Sequence, residues 1–379
     1  MDRDTLASMA PNWRSQFPIL ETTTYLSSHD QGAMSFASSD LLAQFAEDWA
    51  TLGSSAWDQT WSALPFEVGN TIGTLVGASP QTTVATTGMM AALVAIDSCF
   101  RFQPAQSRFV TTQLEHSPGR RYWQRQAGLT EVIVRSWDGR TIATETLLAE
   151  IDERTAIVML SDGPPSGSSI DLKRVVAAAH DVDGYVLLDC SQSAGAEPID
   201  IEDLGVDFAV GRTDGWLCGG TSSAWLYVHP EILGQLEPRT PGWGIDGDPT
   251  WPDPDPSGIG RFLDGPPNPA ALYSLTAGLD PLFTLGIENI RARSLAATAR
   301  VIELAESAAV TVTSDRSEQR GAIVTLQVDD AFRVQTGLQA LDIRVGAYSP
   351  DEISIGPHFY NNQADLDIFV NTLRSIDHG

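Results

Sequence analysis

Five polar residues of this chain follow apolar runs in a way that would hand them to a ligand: His116, Asp162, Asp189, Gln192 and Asp214. YVLLD, ending in Asp189, and VDFAV, leading to Arg212-Thr213-Asp214, are short, nearly continuous apolar runs bounded by turn residues. Strands buried on both faces of a parallel sheet read this way. A carboxylate at the carboxyl end of such a strand points into the crevice where open α/β sheets hold ligands. TAIVML likewise ends in Ser161-Asp162-Gly163, and RFVTT leads to Glu115-His116-Ser117. Neighbouring carboxylates raise one another's pKa, and a histidine adds a group that titrates near neutrality. Together they form an acid–base set.

The rest of the composition narrows the chemistry. The 379 residues carry 49 acidic and 23 basic side chains, a net charge of −26. That balance argues against nucleic acid and anionic membrane surfaces as partners. Length and a 42% hydrophobic content support one large domain and a smaller one. Cys99, Cys190 and Cys218 suggest no disulfide framework, and their spacing from histidine matches no zinc pattern, so no metal is expected. No stretch reaches the length of a membrane helix, MMAALVAIDSCF being interrupted by Asp97, and the first residues lack a signal-peptide pattern. A cytoplasmic protein is expected.

Asp189-Cys190-Ser191-Gln192-Ser193-Ala194-Gly195 resembles the D-x-x-[QH]-[SA]-x-G segment of fold-type-I pyridoxal-phosphate enzymes, in the branch of class V aminotransferases, kynureninases and cysteine desulfurases. The resemblance implies an Asp on the pyridine nitrogen and Gln192 near the ring hydroxyl. It also implies an α/β fold: a three-layer sandwich with a mainly parallel central sheet, plus a small C-terminal α+β domain. The expected division is an N-terminal segment 1–20, a large domain 21–270, and a helix connection with the small domain 271–379. Trp57 and Trp61, one helical turn apart, are read as core or dimer packing. AVTVTS, GAIVTLQV and ISIG are read as strands of the small domain. His116 falls on the histidine that stacks on the ring, and His29, in the entry segment YLSSHDQG, falls beside the substrate.

The sequence also departs from that family. Thr213-Asp214-Gly215-Trp216-Leu217-Cys218-Gly219 resembles [ST]-x-K-[WY]-L-x-G, with Gly215 where the Schiff-base lysine belongs. Met89, after Gly88, stands where a phosphate-binding hydroxyl is expected; Pro266 replaces a threonine of F-x-x-G-T-P; Ser354 falls on the arginine that clamps the substrate carboxylate. The single lysine, Lys173, lies in the helical stretch DLKRVVAAAH and reads as solvated surface.

These departures lead to the expectation of no resident cofactor, with a PLP-independent enzyme reusing the cleft on a small molecule of specialised metabolism. His116, Asp189, Asp214 and Asp162 would be its acid–base groups. Gln192, Thr213, Gly215, Gly88, Met89, His29, Trp216 and Ser354 would line the ligand. Two alternatives remain open: a non-catalytic structural partner or ligand sensor, and an enzyme holding PLP noncovalently with His116 as base. The resemblance further implies a homodimer with the cleft at its interface.

Overall fold

Seven apolar runs assemble into one sheet in the computed structural model, which describes residues 13–115, 118–163, 170–240, 258–263 and 265–377. In chain order the strands are β1 (Thr24–Tyr25), β2 (Thr83–Thr86), β3 (Arg108–Thr112), β4 (Thr130–Val134), β5 (Thr155–Ser161), β6 (Tyr185–Asp189), β7 (Phe208–Arg212) and β8 (Ala224–Val228). They continue with β9 (Val324–Gln327), β10 (Ile343–Arg344), β11 (Gly346–Ser349) and β12 (Glu352–Ile355). The large sheet has the order β2-β8-β7-β6-β5-β3-β4. Its four pairings from β7 to β4 are parallel, and β8 runs antiparallel to both its neighbours. The expectation of a mainly parallel α/β sheet holds.

Alternation along each strand divides the side chains between two helical layers. Val186, Leu188 and Ala209 face the layer built from the helices Leu64–Leu75, Leu172–His180 and Pro269–Leu285. Leu187, Phe208, Val210, Met159 and Val84 face the opposite layer, where the helix Met89–Ser98 presents Met89, Leu93 and Ile96. Central residues such as Leu187 and Leu188 are fully buried, each stabilising the fold by about 1.5–3 kcal/mol. Trp61 is buried and meets Trp57 edge-on at 5.2 Å, and Phe45 at 5.3 Å, so this pair packs against the core.

A second, antiparallel sheet, β11-β12-β9, has its own core with the helices Ile287–Ser307, Ala331–Gln339 and Gln363–Asp377. AVTVTS contributes less than a strand: Val312 bridges Leu326, and Thr313 donates its N–H to Thr325. Residues near the start of the chain join this second unit. β1 pairs in parallel with β10, Leu26 packs in its core, and Ser27 bridges Gly356. Among the described residues, no single helix is long and apolar enough to cross a membrane.

Candidate active site

The carboxyl ends of β2, β5, β6 and β7 lie along one edge of the sheet. Register pairs Ser161 with Asp189 and Asp189 with Val210. Alternation puts Thr86, Ser161, Asp189 and Arg212 on the face shared with the helix Met89–Ser98. Asp189 is buried and accepts the Ser191 N–H at 3.0 Å. The next side chain along that turn, Gln192, has a buried Oε1 with no hydrogen-bond partner among the described residues. A buried acceptor left open is costly, and a ligand donor is one way to satisfy it.

Asp162 stands beside Asp189, donating its N–H to the Asp189 carbonyl at 2.9 Å. Burial raises its pKa, opposed by the Ser193 hydroxyl and Arg291. Two further carboxylates join this edge that the motif reading left without a role. Glu115 is buried and accepts from the Ser161 N–H at 2.8 Å and from its hydroxyl. Burial, with Asp189 adding, pushes Glu115 up to about 7. Glu197 accepts the Ala322 N–H at 3.1 Å and pairs with Arg291 at 3.2 Å; burial again pushes it up to about 7. Their only sequence signal was proximity, Glu115 adjoining His116 and Glu197 following Gly195. His116 itself lies outside the described residues.

Beyond β7, Asp214 pairs with Arg212 at 2.8 Å, so it positions a cation. Thr213 is fully buried and bonded to the Ser223 hydroxyl and carbonyl, which closes the loop onto β8 and leaves it no room to serve a ligand. Gly215 lies outside the left-handed region of backbone space. A Cβ built there would meet His29 O at 3.3 Å and Ser28 O at 3.6 Å, so a side chain fits with a shift of a few tenths of an ångström. Trp216 is buried with its Nε1 unpartnered, and its carbonyl bonds His358 Nε2 at 2.9 Å.

His29 and Ser354, remote in sequence, meet here: His29 Nε2 lies 2.8 Å from Ser354 Oγ. His29 is buried, because Gly346 and Gly356 let the backbone approach it. A Cβ at Gly356 would fall 2.3 Å from His29 Nδ1, and one at Gly346 would fall 2.2 Å from Ser354 Oγ. Burial, aided by Arg212, lowers His29 to about 3, so it is neutral at physiological pH. His29 thus belongs to the seam between β12 and the sheet edge.

At the other end, Met89 is buried in the core under the sheet, whereas Met90 is 44% exposed. Met89 is therefore a packing residue and not a ligand contact. Gly88 precedes the helix in extended conformation, with open space around the position of a Cβ, and no side chain caps the helix. The Thr86 hydroxyl donates to the Gly88 carbonyl at 3.2 Å. Pro266 is exposed. Lys173, on the helix Leu172–His180, pairs with Asp203 at 2.6 Å, the two side chains being 58% and 65% exposed.

Known proteins agree with this architecture. Kynureninase of Pseudomonas fluorescens is 29% identical over 92% of this chain and 87% of its own length. An uncharacterised aminotransferase of Bacillus subtilis, YcbU, is 24% identical over 93% and 94%. Among solved structures, apo cysteine desulfurase from Thermococcus onnurineus NA1 superposes with a TM-score of 0.82 at 18% identity, covering 97% of each chain. A variant of the cystine C-S lyase C-DES, with one lysine replaced by alanine and glycine covalently linked to its PLP cofactor, gives a TM-score of 0.84 at 20% identity, covering 96% and 99%.

The last of these overturns the expectation of no cofactor. That expectation inferred the loss from four changed positions, Gly215, Met89, Pro266 and Ser354, and C-DES keeps PLP after losing a lysine. The Asp-x-x-Gln turn, the strand ends around it and the relatives converge on one assignment. The model of the aminotransferase class-V family matches residues 53–347, and the chain belongs to that family.

Proposed function

We infer that this protein is a class V-type enzyme that holds pyridoxal phosphate without a covalent bond to a protein lysine, and acts on a small amine. The observation that carries the reading is the buried Asp189 carboxylate beside the open Gln192 Oε1, at the ligand edge of the sheet. Asp189 would hold the pyridine nitrogen in its protonated form, and Gln192 would take the ring hydroxyl. The fit is supported by the unpartnered Gln192 acceptor and by the open space at Gly88. When bound, the cofactor supplies an electron sink for bonds next to the amine nitrogen.

Gly215 is proposed to stand where relatives carry the lysine, with Lys173 engaged by Asp203 and unable to replace it. His116 is the proposed base. Burial keeps Glu115 and Glu197 poised near neutrality, so they can take up or release a proton as a ligand's charge changes. A large and a small domain and a cytoplasmic setting belong to the same reading, with Leu26 packed in the small domain's core and the helix Pro269–Leu285 in the large one's. So does a homodimer, to which exposed Phe36, Trp49 and Phe283 offer apolar surface.

Absorbance titration and intact mass test it. The wild type is expected to take up pyridoxal phosphate stoichiometrically, yet show no added mass after borohydride reduction and denaturation. Gly215→Lys, for which the backbone has room, should gain that mass. Asp189→Ala should lose uptake while remaining folded. A wild type that takes up no pyridoxal phosphate overturns the reading.

A further inference from the structure

The ligand edge is rich in acid, and its cation Arg291 is already paired with Glu197 at 3.2 Å. The turns that follow β2, β5, β6 and β7 carry Thr86-Thr87-Gly88, Ser161-Asp162-Gly163, Asp189-Cys190-Ser191 and Arg212-Thr213-Asp214. Arg212 is the only positive side chain in those turns. Glu115, Asp162, Asp189 and Glu197 crowd the same edge, and burial and mutual repulsion push Glu115 and Glu197 up to about 7. A ligand bearing an oxyanion enters such surroundings at a steep electrostatic cost unless a cation meets it.

Arg212 is built to do so. Its Nε donates to Asp214 Oδ1 at 2.8 Å and its Nη2 donates to the Asp30 carbonyl at 2.6 Å. Its backbone N–H donates to Ser191 Oγ at 3.2 Å, tying it to the turn beyond Asp189. Those two side-chain bonds fix the guanidinium plane and engage two of its five N–H groups. The side chain keeps 35% of its surface open. Strand alternation sets it on the Asp189 face of the sheet, with Val210. A guanidinium oriented in advance gives up little freedom when it grips a two-oxygen group.

The geometry points to Arg212 as the anion anchor of the crevice: it grips an oxyanion group of the bound ligand, a phosphate or a carboxylate, through its unused N–H edge. Asp214 and the Asp30 carbonyl are its positioning groups. The assignment rests on the pyridoxal-phosphate reading for the identity of the ligand, though not for the existence of the anchor. The anion comes from one of two sources, the cofactor's phosphate or the carboxylate of an amino acid joined to it.

Equilibrium titration of wild type, Arg212→Gln and Arg212→Lys separates the sources. The probes are pyridoxal phosphate, pyridoxal, phosphopyridoxyl-glycine and phosphopyridoxyl-methylamine. Loss of charge-assisted bonds predicts roughly 10- to 100-fold weaker binding of the anchored ligand by Arg212→Gln. Arg212→Lys should recover part of it, as a point charge without the fork. If the phosphate is gripped, the preference for pyridoxal phosphate over pyridoxal collapses in Arg212→Gln. If the carboxylate is gripped, that preference survives, and the preference for the glycine conjugate over the methylamine conjugate collapses.

Unchanged preferences in a folded Arg212→Gln overturn the anchor, and Arg212→Lys carries the same comparison should Arg212→Gln not fold. If the wild type binds no pyridoxal compound, the functional reading fails separately. The anchor is then read from inorganic phosphate, which should raise the melting temperature of the wild type but not of Arg212→Gln. Equal shifts in both, or none in either, overturn it.

Discussion

The carboxyl edge of the central sheet and the seam where residues 27–31 meet β11 and β12 are both buried and polar, and burial drives their titrating groups in opposite directions. At the edge, Glu115 and Glu197 are pushed up to about 7. In the seam, His29 and His358 are pushed down to about 3. The cause is one: a group removed from water gives up its charged form, which raises an acid and lowers a base. At neutral pH the two histidines are therefore uncharged and held by packing, with the Asp30 carboxylate, which burial pushes up to about 6, beside His29, whereas Glu115 and Glu197 at the edge sit within their own titration. The seam can be broken by adding atoms, and the edge by changing charge.

The largest effect is expected from steric change in the seam. Gly356→Ala places a Cβ 2.3 Å from His29 Nδ1 and 3.0 Å from Trp216. Neither ring can retreat, since His29 is bonded to Ser354 and Trp216 is buried. Overpacking of this kind costs about 3 kcal/mol, read from denaturant unfolding. A cost below about 1 kcal/mol would mean that the seam yields, and that His29 is not locked as described.

Charge change should give smaller effects with opposite pH signs. The folded value of Glu115, about 7, lies above its ordinary 4.5, so its contribution is fully present below 4.5 and is lost as pH rises through 7. The folded value of His29, about 3, lies below its ordinary 6.5, so its contribution is present above 6.5 and is lost as pH falls toward 3. Melting temperature against pH should flatten between 4.5 and 7 in Glu115→Gln, and on the acid side, between 6.5 and 3, in His29→Asn. Matching profiles for the two variants would dissolve the contrast between edge and seam.

The edge was far more legible in the sequence than the seam. Apolar runs announce strands, and the residues that follow them are expected at the crevice; Asp162, Asp189 and Asp214 were singled out this way. Glu115 was not singled out because its partner, Ser161, belongs to another strand, and pairing of parallel strands leaves no local pattern. The burial of His29 left no local signal, because SSHDQG is turn-like by composition. Its burial depends on Gly346 and Gly356, far along the chain. The cofactor expectation failed for a different reason. It took changes at four positions, Gly215, Met89, Pro266 and Ser354, as the loss of the cofactor, whereas a protein of the same fold holds PLP with one lysine replaced by alanine.

Lys173 supplies the smallest expected effect and the sharpest control. Its ammonium meets Asp203 at 2.6 Å, with both side chains largely in water. Asp203 and its acidic neighbours raise the pKa of Lys173, so it stays charged, whereas a lysine that attacks an aldehyde must first shed its proton. It also lies in the first turn of its helix, after the Asp171 cap. The helix dipole there opposes a cation and offsets part of the attraction to Asp203. Lys173→Ala should therefore leave both the unfolding midpoint and pyridoxal phosphate uptake where the wild type has them. Uptake that falls in Lys173→Ala, or a borohydride-fixed mass in wild type that this variant lacks, would move the chemistry from the sheet edge to the helix surface. The comparison of edge and seam would then no longer describe where the ligand is held.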